Sequence, residues 1–317
     1  MTRWAGALAL SALLLAGCSN GGDGDDRDGD VADRPGQGSS SGAPTETPNP
    51  TLDPAVAAQA KQLAQLAKLA AAAQEAAGRL DTVPARQGPV LGADVSWPQC
   101  PPGMGIEHKV SSGQPMPRED AEYVVIGLTN GPGFTANPCL ADQVAYAEQR
   151  GLLVAAYSVI SWPDDAAQQQ YGGLQEAGRA QAEFNIASMR AAGLESPVVW
   201  LDVESVPYYD WSADVSANAE VVLGAAQGYV DAGYRIGVYS TPAIWAGIVG
   251  ELSLGVPEWR AAGPTSRAEA ESRCRPNWSI QGGEAVLAQW VEDSRDRNVT
   301  CPGAEARLGE FFARTTA

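Results

Sequence analysis

The residues best suited to chemistry lie in Trp200-Leu201-Asp202-Val203-Glu204-Ser205, at the end of an apolar run that reads as a strand. Side chains at i and i+2 share one face of a strand, so Asp202 and Glu204 point the same way. Asp94 ends a second strand-like run, Gly92-Ala93-Asp94-Val95-Ser96-Trp97, and a fourth acid, Asp296, follows the run Leu287-Ala288-Gln289-Trp290. Acids that converge on one mouth push one another's pKa values apart and leave one protonated near neutral pH. A proton donor beside ionised carboxylates is what glycoside hydrolysis needs. The rest of the composition narrows the choice further. The chain has one histidine, His108, which argues against a multi-histidine zinc site and against a Ser-His-Asp triad. No metal and no cofactor is expected. With 38 Asp+Glu against 21 Lys+Arg, a net charge of −17, the chain lacks the basic surface that nucleic acid requires.

Aromatic residues crowd the same strand ends: Trp97, Trp162, Trp200, Trp211, Trp245, Trp259 and Trp290. Rings beside acids can stack on sugar faces. Trp97, Tyr157, Trp200, Tyr239 and Trp290 are the ones expected to touch substrate.

These residues need a scaffold that brings distant strand ends together. Apolar runs at 90–97, 123–130, 152–159, 197–203 and 235–240 predict strands, with weaker ones at 258–261, 278–280 and 286–290. Helical patterns separate them at 136–149, 166–192, 216–232 and from Pro242 onward. Continuous apolar strands alternating with helices imply a parallel sheet covered by helices. About eight strands in roughly 215 residues fit a closed (β/α) barrel, whose chemistry sits at the C-terminal strand ends. No Gly-rich dinucleotide or P-loop signature follows the first strand. Four cysteines in the barrel region, Cys100, Cys139, Cys274 and Cys301, allow three disulfide pairings in an exported protein. Cys100–Cys139 and Cys274–Cys301 are favoured because each joins sequence neighbours across adjacent barrel units. The wide spacing, without a Cys-x-x-Cys pair, argues against a Cys₄ zinc site.

The segment before the barrel differs in kind. Arg3, an apolar stretch and Leu15-Ala16-Gly17-Cys18 read as a secretory signal over 1–17, and the last four residues resemble the bacterial lipobox, whose cysteine is lipidated. The expectation is a chain anchored to the extracytoplasmic face of the cell membrane through acyl chains on Cys18. Residues 18–53 are rich in Gly, Asp, Ser, Pro and Thr, with eight acids against two bases, and predict a disordered tether. An Ala-rich helix is predicted over 54–83, as a stiff spacer or lying on the domain, with a partner helix as the alternative. The barrel is expected over 88–303 and a tail over 304–317.

The ordered set Gly92-Ala93-Asp94-Val95-Ser96, Leu201-Asp202-Val203-Glu204, Gly237-Val238-Tyr239-Ser240 and Gln289-Trp290 with Asp296-Arg297-Asn298 resembles family 25 glycoside hydrolases, lysozymes that cleave the muramic acid–glucosamine linkage of peptidoglycan. Asp94–Cys100 and Asn137–Leu140 are similar to a set of exported family-25-like proteins of high-GC Gram-positive bacteria. The resemblance implies five β/α units completed by three strands. It also implies Glu204 as general acid, with Asp94, Asp202 and Asp296 around the sugar. Two departures stand out. The third strand reads Ala156-Tyr157-Ser158 where the lysozymes often carry a Tyr-His pair, and the wall-binding repeats of many such lysozymes are absent. The implied function is a lipid-anchored, monomeric muramidase-like enzyme acting on cell-wall glycan. The alternatives are a barrel that binds glycan or an envelope partner without cleaving it, and a structural lipoprotein. Retention of all four acids favours the enzyme.

Overall fold

The computed structural model describes residues 50–76 and 83–315. The signal segment, Cys18 and nearly all of the tether lie outside the described residues. Eight strands close a barrel: β1 (Leu91–Val95), β2 (Tyr123–Gly127), β3 (Leu153–Val159), β4 (Val198–Asp202), β5 (Arg235–Ser240), β6 (Glu258–Pro264), β7 (Ala285–Glu292) and β8 (Arg295–Thr300). β1 to β7 pair in parallel around the ring, and β8 closes it by running antiparallel to both β7 and β1. The strands are apolar on both faces, as in Val198-Val199-Trp200-Leu201, because one face fills the barrel and the other meets helices.

The helices are α1 (Pro54–Ala76), α2 (Leu140–Arg150), α3 (Asp165–Tyr171), α4 (Leu174–Ala191), α5 (Val215–Asp231), α6 (Pro242–Val249) and α7 (Arg267–Ser272). Local chemistry sets their starts. Asp214 accepts hydrogen bonds from the N–H groups of Ser216 and Ala217, and Thr241 caps α6 with Pro242 in its first turn. α4 and α5 touch backbone to backbone: a Cβ on Gly224 would sit 1.9 Å from the carbonyl oxygen of Gln175. The helical pattern at 166–192 is broken into α3 and α4 at Gly172-Gly173, both at positive φ. α1 lies on the domain, burying Val56, Ala60, Leu63 and Ala67 in the core shared by strands and helices. The last tether residues are docked too, since Leu52 is buried and the Asp53 N–H donates to Ser216 Oγ at 2.9 Å.

Three expectations need correction. Residues 276–278 form a 3₁₀ turn rather than the start of a strand over 278–280. Pro276 supplies no N–H for a ladder, and the Arg260 guanidinium holds the carbonyls of Arg273 and Arg275 at 2.8 and 2.7 Å. The eighth strand is instead Arg295–Thr300, and Asp296 lies within it rather than after the last strand. A two-residue turn, Asp293-Ser294, joins it to β7 with both residues at positive φ, the turn type that suits strand twist. The stretch 304–317, expected as a tail, is part of the barrel through Arg314. Leu308, Phe311 and Phe312 are buried inside its base, with the Phe312 ring 4.4 Å from Tyr123, and Ala313–Arg314 pairs with β3.

The structure contains both favoured disulfides. Cys100–Cys139 ties the loop after β1 to the start of α2, and Cys274–Cys301 ties the end of α7 to the end of β8. The loops closed span 39 and 27 residues. In the chain-entropy model each contributes about 3–4 kcal/mol.

Candidate active site

Strand alternation puts Asp94 of β1, Asp202 at the end of β4 and Asp296 of β8 on the inner face, with Glu204 two residues beyond Asp202 on the same side. The four acids share the C-terminal end of the seven parallel strands. Asp94 and Asp202 are buried, while Glu204 and Asp296 are half-buried at the opening.

A chain of polar side chains fixes Asp94. Asn298 Nδ2 donates to its Oδ1 at 2.7 Å, and Gln289 Nε2 reaches both oxygens at 3.1 and 3.2 Å. Each amide is itself oriented: Trp259 Nε1 donates to Asn298 Oδ1, and the Tyr239 hydroxyl donates to Gln289 Oε1, both at 2.7 Å. Asp202 is held less firmly, and its buried Oδ1 has no hydrogen-bond partner among the described residues.

The electrostatics follow from burying like charges. Burial first, and the charge of Asp296 second, push Asp94 well above the usual carboxylate range, against the opposing bonds from Asn298 and Gln289. Burial, Glu204 and Asp94 raise Asp202 in the same way. Glu204 is pushed up to about 7 by burial and by Asp296, with the ammonium of Lys109 pulling the other way. Burial brings Asp296 to about 6. The cluster therefore holds protons at neutral pH, with a donor exposed at the opening.

Lys109 is the residue that sequence reasoning missed. It comes from a two-residue-turn hairpin, Gly105–Ile106 paired with Lys109–Val110, inserted between β1 and β2. Its Nζ lies 5.2 Å from the centre of the Trp97 ring, and its own proton affinity is lowered by burial against the pull of Glu204 and Asp202. One signal was available: the chain's other two lysines, Lys61 and Lys68, both lie on α1, so Lys109 is the lone lysine of the barrel.

Of the expected substrate rings, Trp97, Tyr157 and Tyr239 border the mouth and are half-buried. Trp200 and Trp290 do not reach it. Trp200 shares the inner face with Asp202 but sits two residues lower, 0% exposed, against Trp259 and Phe311. Trp290 points outward, into the cluster of Ala270, Val299 and Cys301 between the sheet and α7. Ser158, at the position where the resemblance leads one to expect histidine, also points outward and accepts from the Tyr229 hydroxyl at 2.9 Å. Its side chain faces the helical layer, so the departure leaves no gap among the acids.

No family model matches the chain. It is 28% identical over 146 residues to probable GH family 25 lysozyme 3 of Dictyostelium discoideum, a match covering 45% of this chain and 28% of that protein. It is 41% identical over 66 residues to probable GH family 25 lysozyme 4 of the same organism, covering 20% and 30%. The matches thus span less than a third of the length of either curated relative. Among solved structures, a family GH25 lysozyme from Aspergillus fumigatus aligns with a TM-score of 0.43 at 16% identity, covering 70% of this chain and 99% of that one. The spore cortex lytic enzyme SleM of Clostridium perfringens aligns at 0.47 and 11%, covering 68% of each. The barrel with its four acids is similar to lysozyme-type family 25 glycoside hydrolases.

Proposed function

We propose that this chain is a muramidase-like glycosidase that hydrolyses β-1,4 bonds of peptidoglycan while anchored to the outer face of the cell membrane. The observation that carries the reading is the shared mouth of four carboxylates, in which Glu204 is exposed to the opening and raised to about 7. In the proposed reaction Glu204 donates its proton to the leaving glycosidic oxygen as the bond to the anomeric carbon breaks. Asp296, ionised above about 6, turns its negative charge toward the positive charge that develops on the sugar ring, and Asp94 and Asp202 line the sugar beside it. Water completes the new bond at the anomeric carbon, and its proton returns Glu204 to the acid form. Trp97, Tyr157 and Tyr239 supply walls for the sugar. Digestion of purified peptidoglycan, with products identified by mass spectrometry, tests the reading. Soluble muropeptides with new reducing ends support it, and the absence of any glycan cleavage removes it.

The proton affinities of Glu204 and Asp296 set a pH window. Glu204 must be protonated, so activity falls as pH rises through about 7. Asp296 contributes charge only above about 6, so activity rises through that point. Lys109 holds the Glu204 proton affinity down, so Lys109→Met is expected to move the alkaline limb of kcat/KM upward by on the order of half a pH unit. A pH–rate profile checks the shift, and a limb that stays in place or moves down counts against Lys109 as the cause.

The anchoring part rests on Leu15-Ala16-Gly17-Cys18. Cys18→Ser is expected to release the protein from the membrane fraction or to stall its processing. Fractionation and migration identical to the wild type would remove the lipid anchor from the proposal.

A further inference from the structure

Two tight turns at the mouth carry aromatic rings where backbone geometry favours glycine. In the first, the hairpin before β2, Glu107 and His108 are the central residues, and His108 has a φ of 63°. In the second, after β4, Val206 and Tyr209 pair across Pro207 and Tyr208, the Tyr209 N–H donates to the Val206 carbonyl at 3.0 Å, and Tyr208 has a φ of 70°. A proline followed by a positive-φ residue is the pattern of a type II turn, whose second position ordinarily takes glycine. Each turn therefore accepts a strained side chain, and strain of this kind persists where the surroundings over-determine it.

Core packing does not account for either ring. Tyr208 is 70% exposed, more than Leu66, Leu69 and Val110, the other exposed large hydrophobic side chains among the described residues. The His108 side chain is about half exposed. What the two rings do is stack on each other, with centres 4.2 Å apart and planes 16° from parallel. His108 backs one face of Tyr208, and the other face is open to solvent. The rest of the turn is fixed: Val206 is buried, and Trp211 Nε1 donates to the Glu204 carbonyl at 3.0 Å. Tyr208 is four residues beyond Glu204, a separation that fully extended chain spans in at most about 14 Å. His108 precedes Lys109, whose charge reaches Glu204 and Asp202. A rigid, braced ring thus stands at the rim within a few sugar units of the proton donor.

We propose that Tyr208, braced from behind by His108, is a stacking platform for a sugar ring at an outer subsite of the mouth. The proposal rests on the glycan-cleaving reading for its ligand class, which is a pyranose of a β-1,4-linked N-acetylhexosamine chain. The ring face, not the phenol hydroxyl, does the work, because the C–H face of a pyranose packs on an aromatic face. His108 is a positioning residue that holds the platform's plane.

The experiment measures calorimetric affinity for a β-1,4-linked N-acetylhexosamine disaccharide and hexasaccharide in the Glu204→Gln background, where the ligand stays intact. The same panel is read in Tyr208→Ala, Tyr208→Phe, His108→Ala and His108→Phe. The hexasaccharide is expected to bind Tyr208→Ala about two- to tenfold more weakly, the worth of one aromatic stack. The disaccharide is expected to lose less, so the affinity gained with chain length shrinks. Tyr208→Phe should restore the gain, and His108→Phe should restore what His108→Ala loses. Equal loss on both oligosaccharides would mark general damage to the mouth and overturn the platform, as would an unchanged hexasaccharide affinity in Tyr208→Ala. Wild-type protein that binds the hexasaccharide through Tyr208 yet cleaves no peptidoglycan would sink the hydrolase reading and leave the platform standing. Failure of every form to bind either sugar would overturn the platform itself.

Discussion

Glu204→Gln is expected to lower peptidoglycan hydrolysis by about 10²–10⁴-fold, the usual loss when a general acid is removed. Glutamine keeps the shape and can still hydrogen-bond, but it has no proton to give to the leaving oxygen. Glu204 is half-buried at the mouth and takes part in no ion pair within 4 Å among the described residues, so the substitution strands no buried partner. The thermal midpoint should therefore hold, and glycan affinity should survive because the aromatic walls remain. Neutralising Glu204 also removes a charge that raises Asp202, which eases the crowding of the cluster. Reducing-end release, affinity and thermal stability measured on one preparation separate the cases. Undiminished cleavage by Glu204→Gln would take Glu204 out of the mechanism, whereas an equal collapse of activity and of folding would recast it as structural.

Glu258→Ala is expected to cost about 3–5 kcal/mol of stability, the range for breaking a buried ion pair by removing one partner. Glu258 is 0% exposed and points out of the barrel from the start of β6. Its carboxylate accepts from the backbone N–H groups of Ile280, Gln281 and Gly283 at 2.8–2.9 Å, from Ser279 Oγ at 3.1 Å and from Arg260 Nε at 2.8 Å. The alanine variant leaves three backbone N–H groups, the Ser279 hydroxyl and the Arg260 guanidinium without this acceptor. For a domain of this size the thermal midpoint should fall by on the order of 10 °C. The double variant Glu258→Ala/Arg260→Ala should lose less than the two single losses added together, because it strands no charge. A midpoint within a degree or two of the wild type in Glu258→Ala would show that solvent or a neighbouring group replaces the carboxylate without penalty.

β2 to β5 announce themselves because both faces are apolar, so the run stays hydrophobic whatever the register. The pairing of Asp202 with Glu204 needs only the two-residue period of a strand. β8 was illegible because its residues, Arg-Asp-Arg-Asn-Val-Thr, are polar. Its inward Asp296 and Asn298 serve the acid cluster, and its outward Arg297 pairs with Asp120 and Glu292. The turn before it uses Asp293-Ser294 rather than the glycine or asparagine that would have flagged a hairpin. The misplaced tryptophans have a different cause. Trp200 and Asp202 share a face, and only the height along the barrel axis tells a floor residue from a rim residue. Lys109, Gln289 and Asn298 enter the site through pairings between distant segments, which no local pattern carries. Phe311 and Phe312 looked like a loose end because the cavity they fill is built by other strands.

The order of parts along the chain has a consequence for timing. Asp94 stands on the first strand, while the amides that orient it, Gln289 and Asn298, come 195 and 204 residues later. The rings that seal the barrel base, Phe311 and Phe312, come later still. Contacts of such separation form only after the intervening chain is available. A chain delivered amino end first therefore exposes its acids long before it can orient them or close the barrel around them. The acid cluster stays unassembled until the final strand and the two phenylalanines arrive, so the last segment to emerge completes the site.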